Sequence, residues 1–382
     1  MHELDPQQTM LRDAVAEIAR ERFLPGAARA DRESRPPVEN LKILAENGFC
    51  GLFIPEEYGG AGLGCFETVL VMEQVARYCA NTAILLSCTE GATPRAILHC
   101  GTEAQKRKYL PKFAKAELLA AWGMSEPDAG SDVGNVKTRA VRDGDQFVVN
   151  GSKMWCTGAQ VADVFVVLVR LTDAPGLRGV GAVIIEKGTP GFSVGSHLGL
   201  IGLRGTGMAE LTFQDCRIPA ENLLFEAGRM RDLFAVFNED RVAGNPPICL
   251  GAATEAVYRS ADYLKERKQF GKPLADLQGL QWKLADMVIE LEAARALLYR
   301  AAKRIDAGVG RPIDTSIAKT FVNEAAIRIT NDAMQLHGAY GLSQEFPLER
   351  MYRDVRGMAV GYGTTQVHRG IVAREVLEGG YP

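Results

Sequence analysis

The chain has 382 residues, 47% hydrophobic and 24% charged, with a formal net charge of −3. That is ordinary globular composition, and the length predicts two or three domains with large cores. No Lys/Arg-rich run points to nucleic acid, and no apolar run approaches the ~18–20 residues that span a bilayer. The polar, acidic start MHELDPQQTM reads as neither a signal peptide nor an Arg-rich transit peptide.

The first 120 residues read as helices. Leu11, Val15 and Ile18 recur at helical spacing, and that pattern is expected to end at Pro25. A second helical pattern covers residues 38–49, and the Gly- and Pro-rich IPEEYGGAGLG (54–64) reads as a loop. Residues 121–232 change character. The turn signal Asp143-Gly144-Asp145 precedes QFVVNGSKMWC, and the β-branched runs VFVVLVR (164–170), GAVIIEK (181–187) and ELTFQD (210–215) follow. They predict a compact antiparallel β-domain. From about residue 233 the helical period returns. Leu284, Met287, Val288, Leu291, Leu298, Ala302 and Ile305 share one predicted face. The expected fold class is α+β, with an N-terminal helical domain (1–120), a central antiparallel β-domain (121–232) and a C-terminal helical domain (233–382) like a four-helix bundle.

The eight cysteines, Cys50, Cys65, Cys79, Cys88, Cys100, Cys156, Cys216 and Cys249, form no C-x-x-C pair. They read as reduced core thiols of a cytoplasmic protein. The five histidines are scattered, so no protein-bound metal is expected.

Two stretches carry most of the chemistry: GMSEPDAGSDVGNVKTRA (123–140) and YLKERKQFGKPLADLQ (263–278). In the first, Ser125, Gly130 and Ser131 form a small-residue loop. It is either plain surface or a set of free N–H and hydroxyl donors for a pyrophosphate and a polar ring edge. Trp155 offers a flat apolar face, either to the core or to an aromatic ring. Thr157 shares its face if the strand continues. Arg267 has the fork that grips pyrophosphate, whereas Glu266 and Lys268 read as a solvated helix face.

With VNGSKMWCTG (149–158), QLHGAYG (335–341) and GTTQ (363–366), these blocks resemble the acyl-CoA dehydrogenase family, in the family's order and over nearly the whole chain. The resemblance implies FAD as cofactor and an acyl thioester, on CoA or an acyl carrier, oxidised between its α and β carbons. It places Trp122, Met124, Ser125, Gly130, Ser131, Trp155 and Thr157 along the flavin. Arg267, Gln269, Phe270, Gln278, Gln335, Gly338, Ala339, Thr364 and Gln366 would bind FAD, several of them across a subunit interface. That implies a homo-oligomer, dimer or more often tetramer, with an electron-transferring flavoprotein as acceptor. Ser131, Asn238, Arg241, Tyr362 and Gly363 would border the substrate. His337 stands where the family usually has an apolar residue and reads as a packing or hydrogen-bonding histidine.

The resemblance also raises a problem. In VGYGTTQVHRGIVARE (360–375) the family's catalytic carboxylate is missing, and Tyr362 takes its place. A phenol with an ordinary value near ~10 is only about one part in a thousand ionised at pH 7. Tyr362 is therefore expected to shape the acyl pocket or donate a hydrogen bond. Its backbone N–H survives to stabilise a developing enolate. Two carboxylates are candidate bases. Asp240, just before Arg241, matches the base position of isovaleryl- and long-chain-type relatives; otherwise it is a helix-start cap. Glu90 lies on the side used by cyclic-acid relatives. Pro246 and Pro247 are expected to kink or delay a helix near the acyl pocket, which suits a branched or cyclic acyl group. Two alternatives stay open. One is a non-oxidative, sulfinopropionyl-CoA desulfinase-like enzyme, against which Ile84 stands where an Arg is expected. The other is a catalytically silent partner subunit.

Overall fold

The computed structural model describes residues 4–380. At its start the Asp5 carboxylate accepts the Gln8 N–H (2.8 Å) and the Gln8 side chain accepts the Asp5 N–H (3.2 Å). This reciprocal pair satisfies two otherwise orphaned donors. Helix α1 spans Pro6–Ile18. The chain does not stop at Pro25. It passes through one π turn, Ala19–Phe23, into α2 (Leu24–Arg32). Pro25 lies in the first turn of α2, where a missing N–H loses no helical partner.

Helices α3 (Val38–Glu46), α4 (Cys65–Tyr78), α5 (Ala80–Glu90), α6 (Ala92–Cys100) and α7 (Glu103–Ala114) complete the N-terminal block. The strands are β1 (Ala120–Gly123), β2 (Arg139–Asp143), β3 (Gln146–Cys156), β4 (Val164–Arg170), β5 (Val180–Glu186), β6 (Phe192–Val194), β7 (Ala209–Pro219) and β8 (Leu223–Phe225). They form one eight-stranded sheet, ordered β6-β7-β3-β2-β4-β5-β8 with β1 beside β4. The expectation of a purely antiparallel domain needs correction. Both β1 and β2 run parallel to β4, with Ala120 opposite Val164 and Arg139 opposite Arg170. The β2–β3 hairpin intervenes between β1 and β4, giving the long connection that parallel pairing needs. Strand β4 is apolar at every position but its last because both its faces are covered. Val164, Val166 and Leu168 pack with α6 and α7, while Phe165, Val167 and Val169 face the other side of the sheet.

The C-terminal block holds α8 (Met230–Ala243), α9 (Pro246–Glu266), a small hairpin of β9 (Lys268–Gln269) and β10 (Lys272–Pro273), α10 (Gln278–Asp306), α11 (Pro312–His337), α12 (Leu348–Met358) and α13 (Thr365–Leu377). On α10 the predicted face is buried at Met287, Leu291, Leu298 and Ala302, but Val288 is exposed. It follows Met287 directly, so it lies about 100° further round the helix.

Helix α8 positions the site. Its Met230, Leu233 and Val236 pack into the core shared with the sheet, and its Val242 and Ala243 pack into the core of the helical bundle. Asp240 sits at the crossing between the two. Pro246 and Pro247 occupy the first turn of α9, so they start a new helix after a break at Gly244–Asn245. Asn245 Nδ2 donates to the Met358 carbonyl (2.9 Å). Asn323 Nδ2 donates to both that carbonyl and Asn245 Oδ1 (each 2.7 Å). The end of α8 is thereby fastened to the end of α12, immediately before the turn that carries Tyr362.

Candidate active site

Tyr362 adopts φ +61 and Gly363 φ +86, both left-handed, at the turn between α12 and α13. The left-handed region is costly for a residue with a Cβ. His368 Nε2 lies 3.2 Å from the Tyr362 carbonyl, and its Nδ1 lies 3.0 Å from Ser316 Oγ. The Tyr362 N–H has no backbone acceptor among the described residues, so it is free to meet an incoming oxygen. Thr364 caps α13 by accepting the Val367 N–H at 3.2 Å.

Across from this turn lies Asp240, 3% exposed, whose Oδ1 has no hydrogen-bond partner. A methyl placed on Gly244 would sit 3.2 Å from that oxygen and 3.3 Å from Tyr362 Cε1. The carboxylate and the phenol ring therefore converge on one small space. Burial pushes the Asp240 carboxyl up to about 7, against the pull of the Arg95 and Arg241 cations. Burial, followed by the nearby Asp240 charge, pushes the Tyr362 phenol far above its ordinary value. The phenol is thus a poorer base here than in water. Leaving a buried acceptor unmet costs about 1–3 kcal/mol, and more when it is charged, a cost tolerated where the group has a task.

Glu90, the other candidate, is occupied elsewhere. Its Oε1 accepts the Gly51 N–H and its Oε2 accepts the Leu52 N–H (3.1 Å). Burial pushes its carboxyl up to about 8, with Arg95 and these N–H donors pulling the other way. A carboxylate with both oxygens turned to backbone N–H groups anchors a loop and does not face an α carbon. Glu90→Gln is expected to leave the rate of flavin reduction within about threefold. It should destabilise the fold by about 1–3 kcal/mol, read by denaturant unfolding, because one N–H then meets a donor.

The proposed flavin residues fall into groups. Trp122 lies in β1 and Met124, Ser125, Gly130 and Ser131 follow it; Trp155 lies at the end of β3 and Thr157 just after it. Met154 N–H donates to the Ser125 carbonyl (2.8 Å), which joins the two stretches. Trp155 does not continue the strand alternation. It takes φ +61 in an irregular stretch where the β3–β7 register shifts between Lys153 and Cys156. Its indole is turned out, 54% exposed, whereas Trp122 packs edge-on to Phe237 and leaves a buried Nε1 unpartnered.

The second group is exposed: Arg267 and Gln269 at the hairpin, Gln278 at the start of α10, and Gln335, Gly338 and Ala339 at the end of α11. Arg267 lies over the Tyr340 ring at 5.9 Å, which brings these two stretches together. Phe270 is 90% exposed at φ +53. No hydrogen bond among the described residues links this group to the first within one chain. Gln366, beside the Thr364 cap, is also exposed. His337 packs as expected, with Nδ1 2.9 Å from the Ala333 carbonyl and its ring stacked on Tyr263 at 4.1 Å.

Beneath the first group lies an ion pair that motif reading passed over. Lys153 Nζ, fully buried, donates to Glu126 Oε1 (2.7 Å) and to the Met124 carbonyl (3.2 Å). Glu126 also accepts the N–H groups of Lys137 (2.7 Å) and Thr138 (2.9 Å). Burial alone would raise the Glu126 carboxyl, yet Lys153 and the backbone donors hold it below its ordinary value. Both residues stood inside the quoted motifs, but nothing in a sequence marks two charges 27 positions apart as partners. Arg95 was also missed. The available signal was a guanidinium in the apolar stretch PRAIL.

Residues 5–117, 121–216 and 236–377 match the N-terminal, middle and C-terminal domains of acyl-CoA dehydrogenases. The chain belongs to the acyl-CoA dehydrogenase family. It is 40% identical to acryloyl-CoA reductase (NADH) of Anaerotignum propionicum, over 98% of this chain and 95% of that protein. It is 36% identical to the short-chain-specific acyl-CoA dehydrogenase of Clostridium acetobutylicum, over 98% of this chain and 99% of that one. The structure of butyryl-CoA dehydrogenase from Megasphaera elsdenii superposes with a TM-score of 0.95 at 33% identity, covering 99% of this chain and all of that one.

This acyl-CoA dehydrogenase is accordingly an FAD-dependent oxidoreductase acting on the CH–CH bond of an acyl-CoA thioester. The residues present fit that cofactor: an outward-facing indole, an unpartnered Trp122 Nε1, and an open approach at Gly130, where an added methyl would touch nothing within 4 Å. The relatives are dehydrogenases and reductases, which supports the oxidoreductase reading and not the desulfinase-like or silent-subunit ones. Ile84, where the desulfinases carry Arg, is buried in the α5 core.

Proposed function

We propose that this enzyme oxidises its acyl thioester with Asp240 as the base. The observation that supports it is the buried, unpartnered Asp240 Oδ1, sharing one space with the Tyr362 ring beside Gly244. Asp240 takes the α proton. The free N–H of Tyr362 receives the thioester oxygen as negative charge grows on it. Arg241, partly buried with Nη2 3.9 Å from a methyl placed on Gly363, adds a cation close to the same turn. FAD, when bound, supplies the acceptor for the β hydride. Asn238 and Ser131 border the acyl-CoA, and the Tyr362 phenol narrows the acyl end of the space and keeps water from it.

The same geometry runs in reverse, because a carboxylic acid formed by taking the proton can return it. The electron partner, and not the site, then sets the direction. An electron-transferring flavoprotein is the proposed partner. We infer a homotetramer, with the exposed set of Arg267, Gln269, Phe270, Gln278, Gln335, Gly338 and Ala339 completing a neighbour's FAD site. Exposed Phe270, Trp282 and Ile289 support buried contact between copies. Eight free, buried cysteines support a reducing compartment, the cytoplasm. Among the described residues no helix is long and apolar enough to cross a membrane, and no side-chain cluster could hold a metal ion.

The test is anaerobic bleaching of the bound flavin by straight, branched and cyclic acyl-CoAs. Bleaching by at least one supports the reading; none by any would overturn it. The pH dependence follows from the base. Asp240 must be ionised to act, so kcat/KM is expected to be full above about 7 and to fall tenfold per unit below it. An acid limb below pH 5 would show that another group takes the proton.

A further inference from the structure

Arg95 is a buried charge beside the α8 turn to which the proposed reaction gives no role. It is 2% exposed, on α6, in a setting that rarely holds a guanidinium. Three contacts fix it. Its Nε donates to the Glu90 carbonyl (3.0 Å), its Nη1 donates to Glu239 Oε2 (2.8 Å), and its plane lies over the Phe53 ring at 4.0 Å. The remaining nitrogen, Nη2, is buried without an acceptor. Glu239 is the chain neighbour of Asp240, so the ion pair holds the guanidinium against the turn of α8 that carries the base. A buried cation with a spare donor on α6 is therefore tied, through Glu239, to the turn of α8 whose buried carboxylate has a spare acceptor.

The other charges around Asp240 do not substitute for it. Glu239 repels it, with its own charge paired to Arg95 at 2.8 Å. Arg241 faces the Tyr362–Gly363 turn. Its cation also favours ionised Asp240, but less than Arg95 does, and Lys319 and His368 lie beyond it on α11 and α13. Glu90 lies behind Arg95 and points to the 51–52 loop. Tyr362 carries no charge near neutrality. Among these groups the Arg95 charge acts most strongly on Asp240 in favour of its ionised form.

We propose that Arg95 is a positioning residue that, held on Glu239 beside the buried Asp240, favours the ionised form of that carboxylate and so sets the pH range in which this enzyme works. The inference rests on Asp240 being the base. An aspartate that replaces the usual carboxylate from a wholly buried helix face needs a counter-charge, and α6 supplies it.

The test compares Arg95→Met, Arg95→Lys, Glu239→Gln and Asp240→Asn as FAD-loaded full-length proteins. Two rates are followed from pH 5 to 9: bleaching by butyryl-, isovaleryl- and cyclohexanecarbonyl-CoA, and exchange of their α hydrogens for deuterium. Arg95→Met should move the acid limb up by at least one pH unit, giving about a tenfold slower rate at pH 6.5 with KM within twofold. Arg95→Lys should keep most of the wild-type limb, and Glu239→Gln, which removes a like charge, should move it down. An Arg95→Met limb in the wild-type place, with Asp240→Asn inactive, would overturn the role of Arg95 and leave the base intact. Wild-type rates in Asp240→Asn would overturn the base itself. Should Arg95→Met not fold, Glu239→Gln decides the matter: a limb moved down supports the charge coupling across this pair, and a limb in the wild-type place would overturn it.

Discussion

Asp240→Asn is expected to slow flavin reduction by about 10²–10⁴-fold with FAD still bound, the range by which a positioned general base accelerates proton transfer. The size follows from the surroundings. Asn has nearly the same shape, so the α8 break and its ties through Asn245 and Asn323 to Met358 should persist. The other candidate carboxylate is not free to take over, because the Gly51 and Leu52 N–H groups hold both Glu90 oxygens. The Tyr362 phenol is pushed up chiefly by burial, which the substitution leaves in place, and it would remain protonated. Anaerobic stopped-flow absorbance reads the rate, and the visible spectrum of the resting protein reads bound FAD. A variant that reduces at more than a tenth of the wild-type rate would place the base elsewhere. Asp240→Glu should keep measurable activity, since the longer acid still ends in the same space.

The resemblance and the helix–sheet–helix order were readable because their signals are local. VFVVLVR and QFVVNGSKMWC are continuous strands whose bounds the structure reproduces, since β-branched runs bordered by turn residues compete with little else. The parallel pairing of β1 and β2 with β4 was not readable, because it depends on which strands the intervening hairpin leaves adjacent. Pro25 misled for a different reason. A proline ends a helix only where an N–H was needed, and a π turn before it removed that need.

At the site, the absence of a carboxylate at Tyr362 is visible in one residue. Choosing between Asp240 and Glu90 required knowing where their oxygens point. Both are buried acids in helices, and only the backbone of a loop some forty residues earlier separates an anchored carboxylate from one left with a free oxygen. The Trp155 side chain illustrates the same limit. Alternation predicted a shared face with Thr157, but a left-handed residue in an irregular stretch of β3 re-aims the indole outward.

Lys153→Met is expected to lower stability by about 3–5 kcal/mol, the cost of removing one partner from a buried ion pair and leaving the other charged. Lys153 is fully buried and Glu126 nearly so, and Glu126 would keep only the Lys137 and Thr138 N–H groups. The effect should not stop at stability. The pair, with the Lys153 bond to the Met124 carbonyl, holds the stretch that presents Ser125 and the residues up to Ser131. Its loss should weaken FAD retention while leaving the α8 end of the site in place. Denaturant unfolding reads the first consequence, and flavin fluorescence released on dilution reads the second. The double variant Glu126→Gln/Lys153→Met removes the stranded charge and should recover about half of the lost stability. It should recover less of the FAD affinity, because an amide facing a thioether cannot pull the loop onto β3 as the ion pair does. A Lys153→Met protein with unchanged unfolding midpoint and unchanged FAD retention would mean that the loop is held by its backbone alone, and the tie between Met154 N–H and the Ser125 carbonyl would then carry that role.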